Sequence, residues 1–139
     1  MKRLTFVAIA AALSLSAVAA DKKPAAKPAA AKQQAAQQHA ALSAEQISTA
    51  DRVLTGQSRC EFDQSVHVAA VPNSKGWFNV EYKGKSYLMA PESTTTGAVR
   101  LEDKKNGMMW LQIANKSMLM NSKIGQRMVD NCVHPSQKA

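Results

Sequence analysis

The chain has 139 residues, with 18 Lys and Arg against 10 Asp and Glu and a formal charge of +8. No basic stripe is interleaved with aromatic residues, which excludes a nucleic-acid binder as the reading of that charge. Lys2 and Arg3 fall in a leader, and Lys22, Lys23, Lys27 and Lys32 against Asp21 fall in a tether, leaving a folded domain of about +3.

Lys2 and Arg3 precede an apolar run from Leu4 to Leu15, and Ala17-Val18-Ala19-Ala20 closes the segment with small residues. A positive start, a short apolar core and an A-x-A end are the marks of a secretory signal peptide. Residues 1–20 are therefore read as a leader cleaved after Ala19 or Ala20. The apolar run falls short of the roughly 20 residues that a membrane span needs. No Cys lies nearby to carry a lipoprotein anchor. The processed chain is expected in the periplasm without a membrane span.

Residues 21–42 are Ala, Lys, Gln and Pro apart from Asp21, His39 and a single Leu, with no Phe, Trp or Tyr. Such a segment buries too little apolar surface to offset the entropy of ordering it, and it reads as a flexible tether. Residues 43–57 follow as a short helix. Ser43 is its cap, Gln46 completes a capping box, and Leu42 and Ile47 form a hydrophobic staple. Ile47, Ala50 and Leu54 share a face, and the helix is expected to reach Leu54 and stop at Gly56.

From Cys60 the apolar period changes to two. Val66 and Val68 share one side of 65–71, and Phe78, Val80 and Tyr82 share one side of 77–82. Lys83-Gly84 reads as a hairpin turn into 86–90. Strands are expected at 98–102 and 108–113, joined by a two-residue type I′ turn at Asn106-Gly107, then at 116–120 and 127–133. Short strands at regular spacing argue a mainly β domain over 58–139, a small antiparallel barrel. A domain of fewer than about 100 residues is marginal on core burial alone. Cys60 and Cys132 are the only cysteines. In an oxidising compartment they read as one disulfide, with Cys60 at the start of the first strand and Cys132 in the last, closing the barrel edge.

No nucleophile elbow, zinc helix, phosphate loop or dinucleotide fingerprint is present, and no enzyme activity is expected. His39 lies in the tether, His67 within a strand, and His134 beside Pro135. Glu61 and Asp63 sit close together, a pairing too common to mark a site. Met89, Met108, Met109, Met118, Met120 and Met128 read as core filling, with thioether binding of Cu(I) as the alternative. No cofactor and no metal are expected. The segment 92–103 is polar, with Thr94-Thr95-Thr96 before Gly97, and suits either recognition or an ordinary loop.

Several of these residues recur together in one order. Cys60 is followed by the W-F-N-V-E-Y-K-G-K-S-Y-L hairpin and a polar loop ending Thr96-Gly97-Ala98. Trp110, K-S-M-L-M and Cys132 come after it. Over about residues 58–133 the chain resembles the bacterial periplasmic and membrane-bound inhibitors of C-type lysozyme. The resemblance implies an exported antiparallel barrel with one disulfide. It also implies that a loop Ser of a Ser-Gly-x-x-Tyr motif and a Lys of a Trp-x-Lys-Gly motif enter the lysozyme cleft. Here Thr96 stands at the Ser, Gly97 and Ala98 match, and Arg100 stands at the Tyr. Trp110 matches, Gln112 stands at the Lys, and Ile113 at the Gly; Lys116 is a nearby cation. The inhibitory loop set is thus Thr96, Gly97, Arg100, Gln112 and Lys116. Lysozymes are usually basic, so a domain of about +3 adds no long-range steering. The expected function is a lysozyme-inhibitor-like binding protein; the alternative is a non-enzymatic envelope module whose partner is another protein or peptidoglycan.

Overall fold

The computed structural model describes residues 39–137. The segment read as a leader, 1–20, and residues 21–38 of the segment read as a tether lie outside the described residues. Alternating apolar residues build eight strands: β1 Gly56–Arg59, β2 Ser65–Ala70, β3 Phe78–Tyr82, β4 Lys85–Glu92, β5 Val99–Asp103, β6 Met108–Gln112, β7 Ser117–Asn121 and β8 Gln126–Cys132. They pair in chain order, each antiparallel to the next. β4 is the long strand that joins the two halves. Its first residues pair with β3, and Ala90–Glu92 pair with β5.

One residue in two points inward. Val66, Val68, Phe78, Val80, Tyr82, Met89, Val99, Leu101, Met108, Trp110, Leu119 and Val129 form the core, and Trp110 is 1% exposed. The domain is thus the expected mainly β antiparallel barrel, nearly closed. Closure comes from Arg59 and Val133, whose N–H groups donate to each other's carbonyl at 3.0 and 2.7 Å. The Cys60–Cys132 disulfide lies beside this pair and spans 72 residues. In the chain-entropy account a loop of that length is worth about 4 kcal/mol.

Three local expectations are corrected. Cys60 does not open the first strand, because Gly56–Arg59 form a strand before it. That strand has little apolar content, and only pairing with β2 reveals it. Helix α1 ends at Ala50, with Asp51 as its cap, rather than reaching Leu54. Beyond it, the Leu54 N–H donates to Gln112 Oε1 and Gln112 Nε2 donates to the Arg52 carbonyl, both at 2.9 Å. A barrel side chain thus takes the backbone groups that further helical turns would have used. Asn106-Gly107 is not a two-residue I′ turn: only Gly107 has positive φ. The loop is wider because the Asp103 carboxylate accepts from Asn106 N and Nδ2 at 3.0 and 2.6 Å. The Lys83-Gly84 hairpin turn forms as expected, with φ of 48° and 75°.

The capping box of α1 is complete, with Gln46 N–H donating to Ser43 Oγ and Ser43 N–H to Gln46 Oε1. Gln46 Nε2 donates to the Pro91 carbonyl at 2.7 Å, and Ala50 and Val53 pack on the core. The helix and its tail therefore cover the barrel end that carries the 93–98 loop.

Candidate functional site

The 93–98 loop joins β4 to β5, and its backbone is held from two sides. Thr94 Oγ1 donates to the Ala98 carbonyl at 2.7 Å, and Arg52 Nη1 donates to the Gly97 carbonyl at 2.8 Å. Gly97, at φ 79°, makes the turn in a left-handed conformation that a β-carbon would disfavour. Thr95, Thr96 and Gly97 are exposed. Thr96 and Arg100 line a shallow depression of about 450 Å³ with Ser93, Thr94, Met109 and Leu111. Arg100 forms an ion pair with Glu102 on the same strand.

The strand register extends this depression into a face. Arg100 opposes Leu111, which opposes Met118; Glu102 opposes Met109, which opposes Met120. Trp110 and Leu119 point inward, so these neighbours point outward. Met109, Leu111, Met118 and Met120 form a half-buried apolar block. The Arg100–Glu102 pair borders it on one side. On the other, Asp130 pairs with Arg127 at 2.9 Å and Lys116 at 3.2 Å. This corrects the reading of the methionines as core: Met89 and Met108 fill the interior, whereas Met109, Met118 and Met120 lie on the outer face. An apolar centre with a charged border is how protein-binding surfaces are built, and Met suits them by its flexibility.

The structure brings Thr96, Gly97 and Arg100 together. Gln112 is 9% exposed, and its amide is committed to Arg52 and Leu54. It acts by fixing the helix tail. Lys116 Nζ pairs with Asp130 and reaches Asn131 on β8, as Arg100 pairs with Glu102 on β5. The Asp130 carboxyl is held below its ordinary value of 3.8, first by the Asn131 N–H and then by Lys116 and Arg127, against the opposing effect of burial. His67 opposes Glu81 on the outer side of β2, and His134 Nε2 lies 3.0 Å from the Thr55 carbonyl.

Arg52 is the residue that the sequence did not single out. It is exposed, it sits on the loop carbonyl, and it pairs with no carboxylate among the described residues. Its contact spans 45 residues, and no local pattern signals it. The outward methionines did carry a signal, since placing Trp110 inside puts Met109 outside. No family model matches the chain, and neither a curated protein nor a solved structure does.

Proposed function

We propose that the protein is an exported, non-enzymatic inhibitor of C-type lysozyme that presents the 93–98 loop and the β5–β7 outer face to the enzyme's cleft. The observation carrying this reading is the braced loop, with exposed Thr96 beside Arg100 over an apolar depression. A lysozyme cleft holds two carboxylates that flank the bond it cuts. A hydroxyl and a guanidinium brought to them form charge-assisted hydrogen bonds, stronger once water is excluded. Arg52 supplies a second cation at the same loop, where Gln112 does not. The apolar block contributes contact area and shuts out solvent around those bonds.

The test is titration of purified protein into C-type lysozyme while cell-wall lysis is followed. Inhibition should saturate near one-to-one. Thr96→Ala and Arg100→Gln should each weaken it about 10- to 100-fold, the range for a hydrogen bond to a charged group. Undiminished lysis at large molar excess of the wild type refutes the proposal and leaves another envelope partner as the reading.

A further inference from the structure

The connection from β1 to β2 is strained. Gln64 N–H donates to the Glu61 carbonyl at 3.2 Å, closing a turn whose central residues are Phe62 and Asp63. Phe62 has φ 56° and ψ 39°, and Asp63 has φ 54°. Two consecutive positive-φ positions are the signature of a type I′ turn, which favours Asn-Gly. A bulky residue there is a genuine outlier. The Phe62 ring is 84% exposed, so burial offsets none of this strain.

The turn is also rigid. Cys60 N–H donates to the Gln64 carbonyl at 2.8 Å, Glu61 Oε1 accepts the Asp130 N–H at 2.9 Å, and Cys60 is joined to Cys132. An aromatic ring is thus held in water at the tip of a pinned turn. Strain of this kind concentrates at functional sites. Aromatic side chains on rigid supports are common binding anchors, because little entropy is lost on contact.

The ladder relates this tip to the proposed binding face. Val99 faces Gln112, Gln112 faces Ser117, Ser117 faces Cys132, and Cys132 is bonded to Cys60. Three strand steps of about 4.8 Å and the disulfide's Cα–Cα distance of 3.8 Å put Cys60 about 18 Å around the barrel from the start of β5, and about 9 Å from Ser117 beside Met118. A standard protein interface of about 800 Å² per side is roughly 30 Å across, enough to reach from the tip across the β7 edge of that face. Met118 and the Asp130–Asn131 bulge lie between them.

We infer that Glu61-Phe62-Asp63 is a second contact element for the same protein partner, with Phe62 entering an apolar socket rimmed by cations. The acidic neighbours specify that rim. Asp63 is exposed, and Glu61 accepts one backbone N–H with part of its surface in solvent. This inference rests on the proposed lysozyme reading, and a basic partner surface is what an acidic tip fits.

The test measures binding to C-type lysozyme by the wild type, Phe62→Asn/Asp63→Gly and Asp63→Asn. The double variant relaxes the turn to a favoured pair of residues. It should keep or raise Tm and weaken Kd at least about tenfold. Asp63→Asn should leave Tm unchanged and weaken Kd more at low salt than at high salt. Wild-type Kd in the double variant, alongside binding by the wild type, overturns the inference and leaves the lysozyme reading standing. A lowered Tm in the double variant overturns its premise of strain, and salt dependence unchanged in Asp63→Asn removes the cationic rim. No binding by the wild type sinks both.

Discussion

Gln112→Lys is the most discriminating substitution. It installs the residue that the family resemblance calls for at this position, and on resemblance alone it should strengthen inhibition. The structure says the opposite. Gln112 uses both ends of its amide, accepting from Leu54 N–H and donating to the Arg52 carbonyl at 2.9 Å each, at a position 9% exposed. A lysine has no acceptor, so if it stays inside, the Leu54 N–H loses its partner and an ammonium must leave water. If it swings out, both backbone groups lose their partner. An unmet buried group costs about 1–3 kcal/mol, and either course comes to about 2–4 kcal/mol. For a domain of this size that lowers Tm by at least about 10 °C. The helix tail also releases Arg52 from the Gly97 carbonyl, so inhibition should weaken together with stability. Thermal unfolding by circular dichroism and the lysis assay measure the two. Gln112→Glu keeps the acceptor for the Leu54 N–H but sets a buried carboxylate oxygen against the Arg52 carbonyl, and should also lower Tm. A Gln112→Lys protein within about 0.5 kcal/mol of wild type would refute the assignment of Gln112 as the brace of the helix tail.

Reducing the Cys60–Cys132 bond should cost about 4 kcal/mol by the loop-entropy account, read as a lower denaturation midpoint in urea with reductant than without. Gly76→Ala should destabilise by about 1–2 kcal/mol, chiefly because φ 88° is strained for any residue with a Cβ; the Leu42 and Ile47 methyls that the Cβ would meet at 2.6 and 2.9 Å can turn aside. Hydrogen exchange should show faster exchange in α1. Arg100→Gln should change stability by less than about 1 kcal/mol, since its pair with Glu102 is near the surface, while inhibition falls; a large loss of Tm would make Arg100 structural. Asp130 titrates below its ordinary value in the folded protein, so its stabilising share is complete above the unfolded pKa. That share is lost as pH drops through the lower, folded value. Asp130→Asn should therefore flatten the acid limb of the stability profile, and an unchanged limb would assign acid unfolding to other carboxylates.

Strand positions from β2 onward, the inward residues of β2 and β3 and the Lys83-Gly84 hairpin were legible locally, because alternation along a strand and left-handed turn residues act within a few neighbours. The cysteine pair was legible from number and spacing. β1 was not, since Gly56–Arg59 become a strand only through β2 and Val133. Of the loop set, Thr96 and Gly97 lie on the 93–98 loop and Arg100 on β5 beside it. Gln112 and Lys116 are claimed by partners at the helix tail and on β8.

Taken alone, the chain determines a small antiparallel barrel with one disulfide, because its apolar period, turn residues and two thiols are properties of short stretches. Tertiary structure decides which outward residues form a surface: Arg52 meets the loop across 45 residues, and the methionines of β6 and β7 join into one block by register. It also decides that Phe62 is strained and bare, since that turn is held by Cys132 and Asp130 from the far end of the chain. Those contacts depend on how the sheet closes on itself, which no local run of residues encodes.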